Sequence, residues 1–194
     1  MAVAFAAVAG AAIGAIAGYY GGAFDMTLMR ILDIFQAIPG LILSIAVSAT
    51  LGAGFTNCII ALAIGMVPSF ARMARASILN IRKMEYLEAA TSINASDFRI
   101  IVKHVLPNAL SPLIVQGTMS VASAILVAAS LSFIGLGVQP PTPEWGAMLS
   151  AGRNYIRNYP HIVFFPGVTI MIAVFALNVL GDGLRDALDP KLKQ

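Results

Sequence analysis

The stretch HIVFFPGVTIMIAVFALNVLG, residues 161–181, holds no aspartate, glutamate, lysine or arginine. Coiled into a helix it would rise about 30 Å, the thickness of a bilayer's hydrocarbon core. In water such a helix has no polar face to show. In lipid it satisfies every backbone donor and acceptor within itself. Working outward, residues 1–24, 34–71 and 105–143 are equally free of these charges. The composition agrees: 59% of the 194 residues are hydrophobic and 11% charged, against roughly 25% charged in soluble domains. Mean hydropathy is +0.86. The expected fold class is all-α, a polytopic transmembrane helical bundle forming a single membrane domain over residues 1–194.

Five spans are expected, at residues 1–18, 34–51, 56–72, 109–134 and 162–180. Gly18-Tyr19-Tyr20-Gly21-Gly22 makes a tight exit from the first, with aromatics at interface depth. Residues 25–33 form a helical lead-in to the second. There Arg30 and Asp33 stand at i,i+3, a local ion pair worth about 0.3–0.5 kcal/mol. Pro39 should kink the second span. Pro68 interrupts the third near its end, and that helix continues into water as far as Asn80. Residues 52–55 are a turn, 72–103 a long charged loop with helical tendency, 135–160 a loop rich in Gly and Pro, and 182–194 a polar tail. In the tail, Asp182, Arg185 and Asp189 lie at i, i+3 and i+7, an intrahelical network closing the last span.

Net charge is +3 and the pI about 9.2. The positions of the cations argue against nucleic acid. Arg72, Arg75, Arg82, Lys83, Arg99 and Lys103 sit between two apolar spans, without the interleaved aromatics of a single-strand-binding surface. Six cations in that loop against Arg153 and Arg157 in the 135–160 loop place the first inside and the second outside. Arg72 and Arg75 then read as positive-inside anchors. The C-terminus falls inside and Met1 outside. An uncharged, exported start with an odd number of spans suggests an absent upstream helix. No positive n-region precedes Arg30, so the first apolar segment reads as a span and not a signal peptide. The single cysteine, Cys58, excludes an intrachain disulfide and reads as a small buried hydrophobe.

The most informative loop stretch is EYLEAATSINASDFRIIVKHVLP, residues 85–107. It reads as two short helices with a break. Glu85 and Glu88 near the first start suit the macrodipole. Asn94 can adopt the left-handed conformation that ends a helix. Ser96 can cap the second helix, with Asp97 in its first turn. Pro107 should stop that helix before the fourth span. A helix–turn–helix on the membrane surface is a docking shape, and it is equally the shape of an ordinary amphipathic interfacial loop.

Glu88-Ala89-Ala90, followed by the break and closed by Leu106-Pro107, resembles the EAA motif of ABC-importer permeases. Asn94 stands where that family usually has glycine. Further stretches resemble the C-type subunit of dipeptide, oligopeptide and nickel permeases: Met29-Arg30-Ile31-Leu32-Asp33, Leu131-Ser132-Phe133-Ile134-Gly135-Leu136-Gly137, Gln139-Pro140-Pro141-Thr142-Pro143-Glu144-Trp145-Gly146 and the tail Gly181-Asp182-Gly183-Leu184-Arg185-Asp186-Ala187-Leu188-Asp189-Pro190. The likeness runs in order along essentially the whole chain and begins inside that family's second span of six.

The resemblance implies the type I ABC-importer permease fold, with residues 72–107 as the coupling loop. Glu85, Glu88, Ala89, Ala90, Asn94, Asp97, Leu106 and Pro107 would mediate coupling to the ATPase. The implied partners are two ABC ATP-binding subunits, a second homologous permease, an extracytoplasmic substrate-binding protein and membrane lipid. The implied substrate is a di- or oligopeptide, with nickel, glutathione or oligosaccharide as alternatives. Trp145, in the external loop, would touch the binding protein or anchor at the interface.

No nucleophile elbow, paired catalytic acids or glycine-rich loop ending in Lys-Ser/Thr occurs. No catalytic, cofactor or metal site is therefore expected in this chain, and ATP would be bound by the partners. His104 and His161 have no Cys, His or carboxylate cluster beside them. A secondary transporter would place ionisable residues at mid-membrane, and the centres of these spans have none.

Overall fold

A computed structural model of the chain describes residues 1–82 and 84–188, with backbone alone at Glu88, Ala89 and Thr91. The centre is a three-helix core of α1 (Ala2–Tyr20), α4 (Phe55–Ile81) and α7 (Leu106–Phe133). Small residues let α1 and α4 lie nearly backbone to backbone. Gly10, Gly14 and Gly18 fall every fourth residue on one face of α1. A Cβ at Gly10 would sit 2.5 Å from Phe70 Cβ, and one at Gly14 2.7 Å from Ala74 Cβ. This small-xxx-small packing suits lipid, where helix association rests on close van der Waals contact and not on apolar burial. The buried side chains follow the same logic: Ala6, Ala15, Ala17, Ala61, Ala71 and Ala74, with Phe70 and Ile78 as the large fillers.

Among the described residues, four helices are long and apolar enough to cross a membrane: α1, α4, the continuous helix Asp97–Phe133, and α9 (His161–Leu188). A fifth crossing is broken. Helix α2 (Gly22–Ala37) and helix α3 (Gly40–Leu51) meet at an 86° bend. A kink within one helix was expected at Pro39. Proline instead occupies the N-cap of a new helix, and Ile38 before it is extended (φ −88°, ψ 126°). The steric demand of proline on its predecessor explains the clean break. Pro68 behaves differently and lies within α4 without ending it.

Two further expectations are corrected. Pro107 does not stop a helix before the fourth span. Helix α6 (Asp97–Ile100) runs through a π-helical segment, Ile101–Val105, directly into α7. Pro107 follows that segment closely, in the first turn of α7. The 135–160 loop also contains a helix, α8 (Trp145–Gly152), packed on α7 and α9. Glu144 caps α8 by accepting from the Ala147 N–H at 2.8 Å. The turn at residues 52–54 is closed by Asn57, whose Nδ2 donates to the carbonyls of Leu51 and Gly52 at 2.8 and 3.0 Å.

Helix α9 leans on α7 and α8 along one stripe only. Phe164, Phe165, Met171, Ile172 and Phe175 stand outside the bundle, Phe175 with 68% of its surface exposed. An exposed apolar face of that extent belongs in lipid or against another membrane helix.

Candidate functional site

The hairpin of α5 (Glu85–Ser92) and α6 closes one end of the bundle. Helix α5 turns Leu87 and Ala90, three residues apart, into an apolar cluster. Ala15, Ile78, Ile81, Ile100, Val105 and Ala109 complete it. The hairpin is thus seated on the ends of α1, α4 and α7. Asn94 adopts φ 57°, and the Ala95 N–H donates to the Ala90 carbonyl at 3.2 Å. This is the Schellman closure, with asparagine at the left-handed position. The glycine substitute keeps the turn.

Ser96 takes the N-cap position of α6 with extended backbone, but its side chain makes no capping bond. The expected hydroxyl cap is replaced by the Asp97 charge in the first turn, which answers the same unpaired N–H groups through the helix field. Asp97 also accepts the Tyr19 hydroxyl at 2.8 Å. Arg82 donates to the Gly18 carbonyl at 3.2 Å. Both bonds tie the hairpin region to the end of α1.

The structure distributes the expected coupling residues over two faces. Ala90 is buried against the chain's own core, and Leu106 packs at its edge. Glu85, Asn94, Asp97 and Pro107 are exposed. The side chains of Glu88 and Ala89 lie outside the described residues. Two residues that the sequence reading passed over stand out: Ile93 is 80% exposed and Phe98 77%. They flank the Asn94 turn. Two large apolar residues bracketing a turn in an otherwise charged loop were the available signal.

Trp145 opens α8 at the opposite end of the bundle, where Pro143, Glu144, Trp145 and Met148 line a shallow groove. Asp182 and Arg185 continue α9 at the hairpin end and make no ion pair with each other. Asp189 lies outside the described residues. The tail expected to be polar is helical to Leu188, whose carbonyl accepts from Ser111 Oγ at 3.2 Å.

Arg72 and Arg75 are not free surface anchors. Arg72 donates to Asp33 at 2.7 Å, so Asp33 is held mainly across helices, with Arg30 at 4.0 Å. Arg75 grips both Asp25 oxygens through Nε and Nη2, at 2.5 Å each. Among the described residues no cluster of His, Cys, Asp or Glu fits a metal ion.

The helical order and the seated hairpin can be set against known proteins. The family model described as binding-protein-dependent transport system inner membrane component matches residues 10–194. The chain belongs to this family. Among relatives of this inner membrane component is a glutathione transport system permease protein of Escherichia coli O6:K15:H31, 50% identical over 97% of the chain and 64% of the relative. A dipeptide transport system permease protein of Alkalihalophilus pseudofirmus is 49% identical over 99% of the chain and 63% of the relative. A glutathione permease of Pectobacterium atrosepticum is 48% identical over 95% of the chain. The chain spans 61–64% of the length of these relatives. In fold, the inner membrane component is similar to a chain in an inward-facing structure of the MetNI methionine ABC transporter. The TM-score is 0.77 at 22% identity, covering 97% of this chain and 89% of that one.

Proposed function

We propose that the chain is a membrane-spanning permease subunit of an ATP-driven ABC importer for di- or oligopeptides. The observation that carries this is the α5–Asn94–α6 hairpin, seated on the bundle by Leu87 and Ala90 while Ile93 and Phe98 face outward. It is an element seated on the bundle with an apolar tip, the form a partner cleft can grip. Two ATP-binding subunits are its proposed occupants, one on this chain and one on a second homologous permease. An external binding protein delivers substrate to the α8 end. Peptide is favoured because dipeptide and glutathione, the substrates in the relatives' names, are both short peptides.

The geometry gives a route for force. The hairpin hangs from the end of α4 on one side. On the other it runs without a break through Asp97–Phe133 into α7. A push on its tip therefore moves two of the three core helices. The π-helical segment between α6 and α7 is the point where the hydrogen-bond register can shift under that load. The test is co-purification and transport. The complete permease should capture ATP-binding subunits and, reconstituted with the binding protein, import peptide only when ATP is supplied. Uptake driven by an ion gradient without ATP would refute the reading.

We assign the hairpin end, with the C-terminus, to the cytoplasm; the cations of residues 72–103 support this orientation. In a chain with Cys58 replaced by alanine, a cysteine at Thr142 should react with an impermeant thiol reagent in whole cells. One at Asn80 should stay unlabelled until the membrane is opened. The reverse pattern would invert the orientation.

A further inference from the structure

The contacts between α2 and α4 form a polar ladder of three rungs. Arg75 meets Asp25, Arg72 meets Asp33, and Ser69 Oγ accepts from Gln36 Nε2 at 3.2 Å. On α4 the rungs recur every third residue, so they occupy one face. The first rung differs from the other two. Asp25 is only 6% exposed, and both its oxygens are held by the guanidinium fork. The second rung is half exposed.

An ion pair with one buried member adds little net stability over an apolar contact of the same size, yet separating it leaves the buried Asp25 carboxylate uncompensated at heavy cost. Such a contact suits parts that must move as one body. Here the parts are α4, whose end carries the hairpin, and α2, which bends through 86° at Pro39 into the apolar α3. An apolar seam would let α2 slide over α4; a bidentate pair fixes its register.

We propose that Asp25 and Arg75 are positioning residues for transport: their pair locks α2 to α4, so that displacement of the α5–α6 hairpin carries the broken span with it. This rests on the hairpin being the site where ATP-driven force enters.

The test uses the complete permease complex, with its ATP-binding subunits and binding protein, in liposomes. The readout is ATP hydrolysed per molecule of labelled glutathione or alanyl-alanine imported, whichever the unmodified complex takes up. D25N keeps the shape and removes the charge that Arg75 grips. It should assemble with the ATP-binding subunits, hydrolyse ATP, and raise that ratio about fivefold or more. R75K keeps the charge and loses the fork, and should raise the ratio about twofold. The exchanged pair D25R/R75D should return it to within about twofold of the unmodified complex. Should D25N fail to assemble, R75K reads the same ratio in an intact complex.

An unchanged ratio in both D25N and R75K would overturn the proposal. So would a D25N defect that the exchange leaves untouched. If the unmodified complex imports neither probe with ATP, the functional reading falls, and this proposal with it.

Discussion

Replacing Gly14 by leucine is expected to leave almost no folded protein in the membrane. A Cβ at this position would enter the van der Waals sphere of the Ala71 carbonyl oxygen, with Ala74 Cβ at 2.7 Å and the Arg75 nitrogen at 2.9 Å. Two of these atoms are backbone and cannot rotate away. Relief requires α1 to lift off α4, which opens the most extensive helix pair in the bundle. Ordinary overpacking costs about 1–3 kcal/mol. Here the cost should exceed about 3 kcal/mol, because the contact is lost along the whole seam. The effect should be graded. Gly18→Ala meets its nearest neighbours at 3.1–3.2 Å, which a small shift accommodates. Gly117→Ala, on α7 with nothing within 4 Å, should be neutral or gain up to about 1 kcal/mol from helix propensity. The fraction of monodisperse protein surviving stepwise heating in detergent would rank the three. Wild-type survival of Gly14→Leu would refute the account of the seam.

That seam also marks a limit of what was legible in the sequence. The spans could be read because lipid tolerates charge so poorly that uncharged runs stand out, and α1, α4 and α9 start within a residue or two of where apolar runs begin. The hairpin turn could be read because so few residues tolerate positive φ, and Asn94 was in the right place. The partners of Arg72 and Arg75 could not. Asp25 and Asp33 lie 39–50 residues away, and their pairing depends on a bend of 86° at Pro39 that a proline alone does not quantify. Only the local pair, Arg30 with Asp33, was visible at short range, and it is the weaker of the two contacts Asp33 makes. Helix α8 was hidden by its composition. Its N-terminal flank carries Gly135, Gly137, Pro140, Pro141 and Pro143, and Gly146 lies in its first turn, which outweighed the acid cap at Glu144. The inward face of Ala90 was likewise out of reach: the EAA pattern names residues without saying which of them seat the helix and which meet a partner.

The division of the hairpin into a seated face and a free tip leads to the second large effect. The double variant Ile93→Asp, Phe98→Asp should abolish capture of the ATP-binding subunits and with it all ATP-driven uptake. Neither side chain supports the bundle: both are more than three-quarters exposed, and among the described residues neither belongs to an apolar cluster. Surface substitutions of this kind cost folding about 0.5 kcal/mol or less, so the protein should reach the membrane at normal levels. Burying each side chain in a partner cleft would be worth about 1.5–3 kcal/mol. Losing both, and placing two carboxylates there, should weaken association by at least about a hundredfold. Leu87→Asp gives the contrast. It puts a charge into the cluster beneath α5 and should unseat the hairpin, lowering the heat stability of the bundle as well as subunit capture. The measurement is the yield of ATP-binding subunits on the tagged, complete permease, alongside its survival on heating. If the tip rests in lipid headgroups and no partner holds it, the double variant will capture the subunits normally, and the hairpin will not be the docking element proposed for it.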